Sequence, residues 1–107
     1  MAQSGSEQPN HGQGDAVNGN LNAKEKKWVG LVKEQPCSVC GQPGPSDAHH
    51  IKQNSHYTTV ALCKSCHQGS RMGWHGEKAA WRIAKMDELD ALNVTVNNIF
   101  TNLISNH

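Results

Sequence analysis

At 107 residues the chain is at most one small domain. No apolar run approaches the roughly 20 residues that span a bilayer, which predicts a soluble protein with no membrane partner. The formal charge of +1 hides an asymmetry: all ten Lys and Arg fall between Lys24 and Lys85, against four acids there (Glu25, Glu34, Asp47, Glu77), so that segment stands at +6. Such an excess is compatible with a polyanion, although a solvated basic face is its commoner use.

Residues 1 to 20, rich in Gly, Gln, Asn and Ser and without an aromatic residue, predict a disordered tail, because they bury too little to offset ordering entropy. They lack the basic and apolar regions of a secretory signal. Residues 21 to 107 then form the ordered unit. Its first element is a helix over 21–35, capped by Asn22 with Glu25 reaching back, striped by Trp28, Leu31 and Val32, and stopped by Pro36. A Pro/Gly-rich turn region carries "CSVCG". "DAHHI" and "YTTVALC" read as the strands of an antiparallel hairpin joined through "KQNSH". A helical turn begins near Lys64, and "SRMGWHG" is a glycine-punctuated loop. Two helices follow: 77–85, with Trp81 assigned to the core, and a longer one after Asp87. Its Leu89, Leu92, Val96, Ile99, Phe100 and Leu103 are expected to complete the core, leaving a monomer.

Four cysteines in two CxxC pairs, with no secretion signal, argue for metal over disulfides. Cys37, Cys40, Cys63 and Cys66 can wrap one tetrahedral Zn²⁺, and a closed four-thiolate site is structural because no position stays open for substrate. The first pair in a knuckle and the second at a helix start is a treble-clef arrangement. It predicts a fold and leaves function open.

The histidines carry more chemistry. His49 and His50 are consecutive, and on a strand neighbours face opposite sides, so they cannot easily share one metal. His67 follows Cys66, turned from it by roughly 100° on a helix, and His75 lies in "GWHG". His49, His67 and His75 could converge on a second, divalent cation, with His50 beside it as a general base. His11, His56 and His107 read as surface or packing residues.

In order, "CSVCG", "DAHHI", "LCKSCH" and "WHG" resemble the HNH, or ββα-metal, endonucleases that carry a four-cysteine zinc support. "CHQGSRMGWHGEKAAW" with "DELDAL" looks closest to phage recombination-enhancement (Ref-like) nucleases. The resemblance spans about residues 37 to 92. It implies a small α+β fold: a zinc-stabilised treble-clef, ββα-metal core with flanking helices. By position it puts His49, His67 and His75 on a catalytic Mg²⁺ or Mn²⁺ and His50 at the general base. Thr58 stands where the family's motif has Asn, with Asn54 or His56 as loop residues that could take over its support of the base.

The activity implied is metal-assisted hydrolysis of DNA phosphodiesters in phage or prophage recombination or DNA processing, in the cytoplasm of a bacterial host. Arg71 and Lys52 are the candidate phosphate contacts. Members of the recombination type can depend on a recombinase filament. The alternative is a non-catalytic zinc module that binds nucleic acid or a protein. His50 separates the two, since only the nuclease needs it.

Overall fold

The structure, a computed structural model, describes residues 21–105; the tail read over 1–20 and His107 lie outside them. In chain order it contains α1 (Ala23–Lys33), β1 (Asp47–His50), β2 (Thr59–Leu62), α2 (Lys64–Gln68), α3 (Ala79–Ala84) and α4 (Glu88–Ser105). It is a small α+β fold built on a two-stranded antiparallel sheet.

Local signals set the helix starts. Asn22 Oδ1 accepts from the Glu25 amide while Glu25 Oε1 accepts from the Asn22 amide, at 2.8 and 2.9 Å, so two N–H groups without helical partners are satisfied at α1. Asp87 and Asp90 do the same at the start of α4: Asp90 N–H donates to Asp87 and Asp87 N–H donates to Asp90. Helix α3 is shorter than the expected 77–85. The Glu77 and Lys78 amides donate back to the carbonyls of Ser70 and Gly73, which commits those two residues to the preceding loop.

Strand β2 is buried along its whole length, and its alternation divides the interior. Val60 and Leu62 pack with Cys37, Cys66, Trp81 and Ala91. Ala61 faces the other way, onto Val32 of α1 and Ile99 of α4. Trp81 takes the expected core position, its indole N–H donating to the Cys66 carbonyl at 2.8 Å. Trp74 is half-buried edge-on against it, ring centroids 4.7 Å apart.

The inner face of α4 differs from the expected stripe. Ala91, Thr95 and Ile99 are buried and Leu92 packs half-buried against the core as expected, whereas Leu89, Val96, Phe100 and Leu103 point outward. Small residues turn inward because α4 approaches the backbone of β2. Thr95 Oγ1 accepts from the Ala61 amide at 3.1 Å, donates to the Ala91 carbonyl at 3.0 Å and meets Ser38 Oγ at 2.6 Å. Ser38 N–H in turn donates to the Ala61 carbonyl. The free edge of β2 is thus closed by a knuckle residue and a helix hydroxyl, which meets the requirement that buried backbone groups find partners. Among the described residues no helix is long and apolar enough to cross a membrane.

Thr95→Val keeps the shape of this contact and removes its hydroxyl. The buried Ala61 amide and Ser38 hydroxyl then lose their partner, which costs about 1–3 kcal/mol. Urea unfolding of the zinc-loaded protein is expected to show a lower midpoint with an unchanged slope.

Candidate metal centres

Two groups of side chains converge in the fold. The first comprises the Sγ atoms of Cys37, Cys40, Cys63 and Cys66, all within 4.8 Å of one another. Sulfurs around a tetrahedral zinc with bonds of about 2.3 Å stand about 3.8 Å apart, and Cys40 Sγ lies 3.7 Å from Cys63 Sγ. Cys37 and Cys40 sit in a turn closed by the Gly41 amide onto the Cys37 carbonyl. Cys63 caps α2, accepting from the Cys66 amide at 3.4 Å. Burial pushes the Cys37 thiol up, but backbone hydrogen bonds from Cys40, Cys63 and Val39 outweigh it and bring the group to about 7. Burial and the neighbouring thiols hold Cys66 far above the ordinary thiol range. A thiolate is thus favoured at Cys37, and a divalent cation would offset the burial and the neighbouring thiols that disfavour one at Cys66. The four thiols can hold a structural zinc ion.

The second group is His49, His67 and His75, whose ligand nitrogens also lie within 4.8 Å of one another. Their ring centroids form a nearly equilateral triangle, 5.1, 5.2 and 5.1 Å on a side. His49 comes from β1, His67 from α2, and His75 from the loop after α2. That loop folds back so that the Trp74 and His75 amides donate to the carbonyls of Cys66 and His67. Its glycines permit the approach: a Cβ at Gly73 would stand 2.6 Å from the Gly69 nitrogen and 2.7 Å from its oxygen.

Carboxylates orient two of the three rings. His67 Nδ1 lies 3.1 Å from Asp47 Oδ2, and His49 Nε2 lies 2.6 Å from Glu88 Oε2. The His67 hydrogen bond, with Lys64 at 3.1 Å, holds Asp47 below the usual carboxylate range, while burial pushes His67 down against the pull of Asp47. Asp47 is thus ionised and His67 neutral, so Nδ1–H is the donor. A ring that gives one N–H to a carboxylate keeps the lone pair of its other nitrogen, the usual arrangement of a metal-binding histidine.

His50 faces away from this cluster. It lines a cleft of about 510 Å³ with Leu21, Val29, Lys33, Ala48, Ile51 and Gln53. Its Nε2 lies 3.1 Å from Nδ1 of His56. Burial, then the rings of His56 and His49, hold His50 below the usual imidazole range. His56 is buried, 5% exposed, and its carbonyl accepts from Thr59 Oγ1 at 2.6 Å. Of its two readings, surface or packing, His56 takes the packing one, and it is the loop residue that meets His50. Thr58 caps its own loop, donating to the Ser55 carbonyl. Arg71 and Lys52 are both exposed, and the cation in the cleft wall is Lys33, which the sequence did not single out.

Glu88 was also missed, being 39 residues from its partner; its only advance signal is a carboxylate at a helix start. The chain matches no family model, no curated protein and no solved structure in comparisons with each.

Metal analysis of the purified protein is expected to give one tightly held zinc per chain. Its removal by a strong chelator, or Cys40→Ser, should abolish cooperative thermal unfolding. An apoprotein that melts as the zinc form does would assign the four thiols no structural role.

Proposed function

We propose that the chain is a metal-dependent endonuclease of HNH, or ββα-metal, type that hydrolyses DNA phosphodiesters with His50 as general base. One observation carries this reading: His49, His67 and His75 converge on a point, while the next residue after His49 faces the other way, backed by a buried histidine. The order of the elements supports a treble-clef core, with a cysteine knuckle, a hairpin, and a helix that starts at Cys63 and carries Cys66. The +6 charge of residues 24 to 85 suits a polyanionic substrate.

For His50 to act, its Nε2 carries the hydrogen and donates it to His56 Nδ1, leaving the Nδ1 lone pair to accept a proton from water. The resulting hydroxide attacks phosphorus in line. The P–O3′ bond breaks and the departing oxygen takes a proton from a second water, giving 5′-phosphate and 3′-hydroxyl ends. A divalent cation held by His49, His67 and His75 would polarise a phosphate oxygen and offset charge on the departing 3′-oxygen. Asp47 and Glu88 orient two of those rings, and Lys33 lies where it can meet a neighbouring phosphate. Among the described residues no strand pairs the outer edge of β1, and on this reading the DNA backbone would cross that edge to meet side chains on both faces. Three imidazoles favour Mn²⁺ over the oxygen-seeking Mg²⁺. Phage or prophage DNA processing in a bacterial cytoplasm, with a recombinase filament as a further partner, is the setting this reading implies.

Plasmid and single-stranded DNA incubated with Mn²⁺ or Mg²⁺ are expected to be cut. His50→Ala, folded and zinc-loaded, should lose on the order of 10²-fold or more in rate, the usual contribution of a positioned base. His56→Asn, which keeps an acceptor for His50 Nε2–H, should retain more activity than His56→Ala. A wild type that never cuts, yet binds DNA as well as His50→Ala does, would make this a non-catalytic zinc module.

Glu88 gives an independent check on the cation. Glu88→Ala should weaken Mn²⁺ binding in calorimetric titration by roughly 10–100-fold, as loss of a ligand's hydrogen-bond partner does elsewhere, with zinc content unchanged. Equal affinities would mean the Glu88–His49 contact serves packing alone.

A further inference from the structure

Helix α4 has two apolar faces, and among the described residues the fold uses one. On a helix advancing 100° per residue, Leu89, Val96, Phe100, Leu103 and Ile104 fall within an arc of roughly 100°, centred about 120° from the buried face. They are 70, 40, 59, 44 and 55% exposed. Leu89, Val96 and Leu103 are spaced by sevens, the repeat of a helix–helix seam. On ordinary side-chain areas these fractions leave roughly 500 Å² of apolar surface bare, toward the upper end of what a monomer tolerates.

We propose that a second copy of this chain covers this face, the two α4 helices packing antiparallel about a two-fold axis. A self-pairing of this stripe buries up to roughly 1,000 Å² of apolar surface in total, the size at which specific interfaces begin. Its composition selects the occupant. From Ala91 to Ser105 there is no Lys, Arg, Asp or Glu, so the face offers no cation to a DNA backbone or an anionic lipid surface. Two such faces meet without like charges opposed. Asn93 is the single polar residue inside the arc, the kind of residue that fixes register in a seam.

Charge also sets the direction. The acids of this region, Asp87, Glu88 and Asp90, gather at the start of α4. A parallel pair would bring all of them together. An antiparallel pair separates the two groups by roughly 25 Å along the axis, well beyond the screening length of about 8 Å at physiological ionic strength. Because Glu88 touches His49, the two histidine clusters then stand at opposite ends of the seam. On the nuclease reading, on which this last consequence rests and the pairing does not, the dimer presents two separated hydrolytic sites.

Sedimentation equilibrium of the full-length, zinc-loaded chain tests the pairing without reference to activity. The expected mass is twice 11.7 kDa at tens of micromolar, falling toward the monomer on dilution. Phe100→Glu with Val96→Glu should give a monomer with unchanged far-UV circular dichroism and zinc content, both side chains being exposed. Thr101→Glu, exposed but outside the arc, should remain a dimer and controls for added charge. A wild type that stays monomeric throughout that range overturns the proposal and leaves the stripe to a different protein. A dimer that survives the double substitution with its fold intact overturns it as well, placing the interface elsewhere. Should the double variant lose its fold, Leu89→Ser with Leu103→Ser is the second test, with the same two outcomes.

Discussion

A strand turns successive side chains to opposite faces, and β1 has only four residues with which to do it. Asp47 and His49 share one face; Ala48 and His50 share the other. The first face meets α2, so Asp47 reaches His67 and His49 joins the triangle with His67 and His75. The second meets α1, so Ala48 packs beside Val32 and His50 opens onto the cleft with Val29 and Lys33. Register makes the division strict. His49 lies opposite Val60 and His50 opposite Thr59, and a slip of one residue would exchange every environment on the strand. Two neighbouring histidines with different surroundings are thus a property of the pleat, given helices on both sides.

The zinc frame and the histidine triangle share their supports. Cys66 and His67 are successive residues of a five-residue helix, too short to persist without tertiary support. Cys63 caps it, and the Cys66 carbonyl accepts from both the Trp74 amide and the Trp81 indole. The hydrogen bonds that tie the zinc side of α2 to the core therefore also place the loop that carries His75. Metal-free thiols would loosen α2, and with it two of the three imidazoles.

Much of this was legible. The Asn22 capping box, the hairpin and the paired cysteines are local patterns, and local patterns survive folding. What escaped depends on contacts between distant residues. Glu88 meets His49 only because α4 begins beside β1. His56 stands with Asn54 as a candidate support for the base, and only the closed hairpin decides between them by laying His56 against His50. The apolar stripe of α4 divides for a related reason: Leu92 and Ile99 pack inward as expected while Leu89, Val96, Phe100 and Leu103 face out, because periodicity reports that a face is apolar but not which partner it meets. Here the inner face is Ala91, Thr95 and Ile99, chosen for close approach and for a hydroxyl that completes the edge of β2. Hydrophobicity ranks Thr95 below Leu103, whereas hydrogen-bond accounting ranks it above.

Helix α4 consequently does three things along its length. Its first residue steadies His49 through Glu88; its middle closes β2 through Thr95; its outer face carries exposed apolar residues, which the proposed pairing would cover. These are coupled through one rigid element. Fixing the middle of α4 against β2 fixes where Glu88 falls, and a partner that binds only the folded helix stabilises it by mass action. On the proposed pairing, assembly would favour the conformation in which the Glu88 carboxylate meets the His49 ring. The metal centre would then respond to the chain's own concentration without any contact between the partner and a ligand. The same coupling distinguishes α4 from an appendage: a helix needed only for core volume would turn all its large residues inward, whereas this one buries Ile99, half-buries Leu92 and leaves Leu89, Val96, Phe100 and Leu103 exposed.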